Sequence, residues 1–157
     1  MFRPMRRFRQ QLPEAECLAL LETQPRGVLA VLGDEDYPYA VPVDFLYRDG
    51  KLYFHGAREG HKLDAVRRHD KVSLCVTDEG FRREGDWALS FRSVIVFGRI
   101  RPMAYDEPGI EELLRALGNK YNPDPEDVER ELRGALARVQ MLELTVEHMS
   151  GKRIREA

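Results

Sequence analysis

The stretch "FHGAREGHK", Phe54 to Lys62, places two histidines, two glycines and a lysine between an apolar run and a short helical pattern. Four kinds of chemistry use such residues. A metal site needs clustered ligands at set spacings. His55 and His61 are separated by a glycine-rich loop, no HExxH or Cys/His cluster occurs, and His69 and His148 stand alone in polar surroundings, so no metal is expected. A serine nucleophile would sit on an elbow such as GxSxG. Ser90 and Ser93 lie inside a strand pattern with no histidine or carboxylate tied to either. Neither GxGxxG nor GxxxxGK[ST] occurs, which disfavours a Rossmann site or a P-loop. An anion cradle remains. Gly60 and His61 open a helix whose first amides lack intrahelical partners, Lys62 adds an ammonium at the same place, and Arg58 is near in sequence.

These residues need elements to hold them. "PEAECLALLET" reads as a short helix with Pro13 near its first turn and Leu18 and Leu21 on one side. "GVLAVL", bounded by Gly27 and Gly33, suits a strand covered on both faces, and "GDED" is a turn. "YPYAVPVDFLY" has strand composition but is broken by Pro38 and Pro42, which places it at an edge with bare backbone that a ligand can meet. "RDG" before "KLYFH" signals a hairpin, with Leu52 and Phe54 on one face and Tyr53 and His55 on the other. "HKLDAVRRH" is helical. "KVSLCV" turns Val72, Leu74 and Val76 inward. "WALSFRSVIVFGRIRPM" is a long strand bent near Gly98, apolar on much of both faces. Ile110, Leu113, Leu114 and Leu117 make one helical stripe, closed by Gly118. Val128, Leu132 and Leu136 make another, capped by Asp124 with Pro125 in the first turn. "VQMLELTVEHM" is the last strand, with Leu142, Leu144 and Val146 inward. The two late helices read as packing elements without chemistry. About six strands joined by hairpin-like turns predict a mostly antiparallel small barrel with peripheral helices, since closure removes exposed edges.

Composition narrows the function classes. A chain of 157 residues fits a single domain, 1–157, with residues 1–11 as a basic arm that reads as solvated. The net charge of -2 provides no global field for nucleic acid or an anionic membrane. No apolar core follows the N-terminal arginines, and "VLAVL" is far too short to span a bilayer, so the expected location is cytoplasmic. Cys17 and Cys75 form no motif and read as buried reduced thiols.

In this order, "DYPYAVPVDF", "LYFHGAREGHKLDAVRR", "KVSLCV", "SFRSVIVFGRI" and "TVEHMSGKR" resemble the FMN-binding split-barrel superfamily. The resemblance is closest to the nitroimidazole-resistance branch of the pyridoxamine 5'-phosphate oxidase-like proteins, and covers about residues 12–153. It implies a six-stranded antiparallel split β-barrel working as a homodimer, with two FMN molecules at the interface. By the same resemblance, the backbone of Tyr39, Ala40, Val41, Pro42, Val43 and Asp44 would follow the flavin ring, and Phe54, His55 and Gly56 would flank it. His61 and Lys62 would hold the phosphate, and Arg92, Ser93 and Val94 would complete the pocket. Asp44 stands where the family often has asparagine, and Phe91 where it often has tyrosine. The carboxylate cannot donate a hydrogen bond, and near a reduced flavin it would repel charge unless it points away.

The expected function is an FMN-dependent oxidoreductase that passes electrons to a small planar acceptor such as a nitroaromatic. His55 is the expected catalytic residue, since imidazole transfers protons near neutrality. The alternatives are a flavin-binding or storage protein without turnover, and a split barrel that binds haem or a deazaflavin.

Overall fold

Period-two alternation puts Leu29 and Val31, then Val72, Leu74 and Val76, then Leu142 and Leu144, on one surface of a single antiparallel sheet, where all are buried. The computed structural model describes residues 1–155; Glu156 and Ala157, the end of the expected 1–157 domain, lie outside the described residues. The elements in chain order are α1 (Glu14–Thr23), β1 (Gly27–Leu32), β2 (Pro38–Val43), β3 (Leu46–Arg48), β4 (Lys51–Ala57), α2 (His61–Arg68), β5 (Lys71–Thr77), β6 (Ser90–Pro102), α3 (Ile110–Tyr121), α4 (Pro125–Ala135) and β7 (Val139–Arg155). The strands run β2-β1-β5-β6-β7-β4-β3 across the sheet.

The sheet has seven strands rather than six, and it is not closed. The extra strand comes from "YPYAVPVDFLY". Its first half, β2, pairs with β1, and its second half, β3, pairs with β4 at the opposite edge of the sheet. Asp44 and Phe45 carry the chain from one edge to the other. The curled sheet is therefore a split barrel. Asp49 and Gly50, with φ of 50° and 75°, make the tight turn of the β3–β4 hairpin. The register of β6 on β7 shifts between Phe97 and Gly98, which is the expected bend. A Cβ at Gly98 would run into the Thr145 backbone, so the close approach there requires glycine. The last strand continues past Met149 through Gly151 and Lys152, which pair with Val94 and Ser93.

The barrel interior holds Leu29, Phe45, Leu52, Phe54, Leu74 and Leu144, with α1 and α2 packed against it. The buried residues of α1 are Cys17, Leu20 and Leu21, while Leu18 is only partly covered. A second cluster joins Tyr53 and Met141 to Ile110, Leu113, Leu114 and Leu117 of α3 and Leu132 of α4. It forms because β4 is apolar on both faces at Leu52–Phe54, so it needs cover outside as well as inside. Asp124 caps α4 through a 2.9 Å bond from the Glu126 N–H to Oδ1. Gly118 does not end α3, which continues to Tyr121; a Cβ at Gly118 would come within 2.9 Å of Val128, so its role is close helix contact.

Three further expectations change. Cys75 is exposed on the outer face of the sheet, whereas Cys17 is buried. The β1 strand is covered on one face only, leaving Val28 42% exposed. The basic arm is anchored: Phe2 stacks on His148 at 4.7 Å and on Phe97 at 5.5 Å, and Gln11 bridges to Lys152.

Candidate functional site: the split of the barrel

The last rung of the β3–β4 hairpin is Leu46 with Tyr53. Two residues further out, Asp44 and His55 would face each other, but β2 has already turned to β1. Residues 54–57 of β4 therefore pair only with β7, and β2 pairs only with β1. The backbone that flanks the split is unpaired on both sides, as the proline-broken strand suggested.

One end of the split is spanned by the start of α2. The His61 ring stacks on Tyr39 with centroids 4.2 Å apart and an interplanar angle of 14°. Its Nε2 accepts the Asp34 N–H at 3.2 Å, so His61 fastens α2 to β2. Lys62 turns the other way, to β4. A Cβ at Gly56 would stand 3.3 Å from the Lys62 Nζ, so glycine makes the room for the ammonium. Lys62 is half-buried, and that burial lowers its pKa from the ordinary 10.5. Among the described residues no carboxylate or hydrogen-bond acceptor meets it. Gly60, at φ 131°, precedes α2 with no side-chain cap, which leaves first-turn amides free. An anionic group would satisfy the lysine and the amides together.

The other end is closed by the C-terminus of α3. The Tyr121 hydroxyl donates to the Pro25 carbonyl at 2.6 Å and accepts the Phe45 N–H at 2.9 Å. Lys120 donates to the Phe45 carbonyl at 2.8 Å, with its Nζ 3.8 Å from the Phe45 ring centroid. Burial pushes the Lys120 pKa down to about 8. Sequence reasoning missed both residues. The available signal was a lysine and a tyrosine in the last turn of an amphipathic helix, which says nothing about a partner 75 residues away.

The other expected site residues divide by face. Ala40 and Pro42 point outward and are exposed; Tyr39 and Val41 pack partly on the core. Val43 and Phe54 are buried, so only their backbone borders the split. Asp44 is paired with Arg26, whose Nε donates to Oδ1 at 3.1 Å. His55 is exposed on the α3–α4 side of β4, the face of Tyr53, whereas Gly56 and Lys62 lie on the opposite face. Arg92, Ser93 and Val94 are not brought to the split within one chain. On the β4 lip the rung through Phe54 and Leu142 meets β6 at Pro102, roughly 30 Å along the strand from Arg92; on the β2 lip the rung through Val43, Gly27 and Val76 meets β6 at Val94, three strands in from the edge. The Arg92 guanidinium is held by Asp78 at 2.8 Å, and the Val94 side chain is fully buried. Among the described residues no group of three or more His, Cys, Asp or Glu side chains could hold a metal, and no helix is long and apolar enough to cross a membrane.

Solved structures share this architecture. A candidate 5-nitroimidazole antibiotic resistance protein from Bacteroides thetaiotaomicron is 18% identical, with a TM-score of 0.75 over 91% of this chain and 86% of that one. An FAD-binding protein from Mesorhizobium loti is 26% identical, with a TM-score of 0.67 over 93% and 98%. An FAD and heme binding protein from Mycobacterium smegmatis is 25% identical, with a TM-score of 0.74 over 94% and 74%. A search of the curated proteins returns no match. The sequence model of pyridoxamine 5'-phosphate oxidase matches residues 13–153, which span the strands on both sides of the split, its α2 end and its α3 clasp; the chain belongs to the pyridoxamine 5'-phosphate oxidase family.

Proposed function

We propose that the split binds a flavin and that the protein is an oxidoreductase, using the bound flavin to reduce a small planar acceptor such as a nitroaromatic. The observation that carries this reading is Lys62: a half-buried ammonium without a partner among the described residues, beside Gly56 and the uncapped start of α2. That cradle fits a phosphate. Ala40 to Asp44 offer an open strand edge for the polar rim of the ring, and Arg26 offsets the Asp44 charge that would otherwise oppose a reduced flavin. The flavin-binding descriptions of the Mesorhizobium and Mycobacterium structures support the same assignment.

The cradle holds one phosphate, which favours FMN. The likeness to FAD-binding structures makes FAD the second reading. A bound flavin supplies the electrons, and the protein supplies binding, orientation and protons. Reduction of a nitro group to nitroso takes two electrons and two protons and releases water; we assign delivery of a proton to His55, an exposed imidazole at the mouth of the split.

A second copy of the chain completes the site in this proposal. Two rows of outward residues cross the sheet without a charge: Pro42, Val28, Cys75, Ile95 and Ser150, then Ala40, Ala30, Ser73, Phe97 and His148. Val28, Ile95 and Phe97 are about two-fifths exposed, and α3 and α4 cover β4 and β7 instead. A face of this kind needs a partner. It ends on Ala40 and Pro42 at the split, so Ser93 and the backbone at Arg92 can reach a flavin only from the second chain.

The test is the visible spectrum of the purified protein, followed by denaturation and mass measurement of any released chromophore. A flavin spectrum with the mass of FMN or FAD is the expected result. A colourless protein that binds neither added FMN nor added FAD overturns the proposal.

A further inference from the structure

We infer that the groove between the outer face of β4 and the α3–α4 pair is the binding site of the reducible substrate, an aromatic molecule of one or two rings with an anionic substituent at the end away from the reduced group. This rests on the flavin reading above and adds to it a location and a substrate class. The two helices had no chemistry in the sequence. In the fold they wall a groove of about 580 Å³, the size of a small-ligand site.

Its wall is apolar: Leu114 and Leu117 from α3, Val128 and Leu132 from α4, and Val139 at the start of β7. Gly118 lets α4 approach α3 through Val128, so the pair forms one continuous wall. Polar side chains line it too, Tyr121, Asn122 and Glu131 among them. Asp44 and His55 stand where the split opens, and Asp44 is paired with Arg26. Arg138 also lines the groove. Its Nε donates to the Gly134 carbonyl at 3.0 Å, and a Cβ at Gly134 would stand 3.1 Å from its Nη2, so glycine lets the guanidinium lie there. Among the described residues no carboxylate pairs with Arg138. The groove thus presents an imidazole near the split, an apolar slot, and the Arg138 guanidinium, with the Glu131 carboxylate also on its lining. An aromatic body fills the slot, its oxidised group meets His55, and a carboxylate or similar anion meets Arg138.

Two probes separate these contributions: para-nitrobenzoate, which carries the anion, and nitrobenzene, which lacks it. Binding is followed by amide and methyl NMR shifts in the flavin-free protein and again with flavin added. The expected shifts centre on Leu114, Leu117 and Val139. Arg138→Ala is expected to weaken para-nitrobenzoate at least tenfold and to leave nitrobenzene within twofold. Ala135→Trp, which fills the groove from a partly exposed position on α4, is expected to abolish both while flavin affinity stays within twofold. Unchanged affinity of both probes in both variants overturns the inference, as do shifts centred elsewhere. If the protein binds the probes in the groove but no flavin, the groove stands and the flavin reading falls.

Discussion

Lys62 and Lys120 are both half-buried cations whose pKa is lowered by burial, and they differ in what meets the ammonium. Lys120 has the Phe45 carbonyl and ring; Lys62 has only the space above Gly56. Lys62 is thus free to pair with an added anion. Lys62→Met is expected to weaken FMN binding roughly tenfold or more at neutral pH, measured by quenching of flavin fluorescence. In the unsubstituted protein the affinity falls as pH rises towards 10.5, because the free lysine loses its proton early and the phosphate must restore it. The variant loses that fall. Lys120 acts on stability. Its folded pKa of about 8 lies below the ordinary 10.5, so between those values the unfolded chain holds more protons. Stability therefore gains from Lys120 as pH rises through that window, and the penalty is fully present below it. The urea midpoint of the protein relative to that of Lys120→Met should rise with pH across that window. His55→Ala is expected to keep the fold and the flavin affinity and to lower acceptor turnover by about 100-fold, with a flattened pH profile, as removal of a general acid does. Equal turnover would remove His55 from the proton path.

At the scale of elements, the split is held by two helix ends that meet it from opposite sides. The start of α2 fastens β2 through the stack of His61 on Tyr39. The end of α3 fastens the Phe45 crossover and Pro25 through one tyrosine hydroxyl. This second clasp is what lets a strand leave one sheet edge and join the other without orphaned backbone at the corner. Tyr121→Phe removes the hydroxyl but not the ring, leaving the Phe45 N–H without its partner. The expected cost is ~1–3 kcal/mol, read as a lower urea midpoint at an unchanged slope. The bend at Gly98 and the close helix contact at Gly118 show the same logic in covalent form: both are glycines because another element occupies the Cβ position.

For the whole molecule, the proposed assembly rests on the two rows of the outer face of β2, β1, β5 and β6 that carry no Lys, Arg, Asp or Glu, bordered by Lys71 and Arg99. Alternation along these strands puts apolar residues on both faces, and in a single chain the outer one is covered only in part, by Phe2 over Phe97 and His148. Ile95→Arg puts a charge in the middle of that face without touching the core, since the side chain is 40% exposed. The expected result in analytical ultracentrifugation is a monomer that remains folded and binds flavin more weakly. A dimer unchanged by the substitution would place the interface elsewhere.

Much of this architecture was legible in local patterns. Alternation located the β5 and β7 cores, "RDG" the hairpin, Asp124-Pro125 the start of α4, and Gly60-His61 the start of α2, because each depends on neighbours within a few residues. The resemblance carried by "YPYAVPV" and "FHGAREGHK" identified the family. The tertiary structure alone decided what depends on distant partners. It split "YPYAVPVDFLY" between two sheet edges, because Phe45 finds its partners on α3. It paired Asp44 with Arg26, exposed Cys75, tied Arg92 to Asp78, and turned two packing helices into the wall of a groove. A sequence pattern records which face of an element is apolar; it does not record which other element, or which second chain, covers that face.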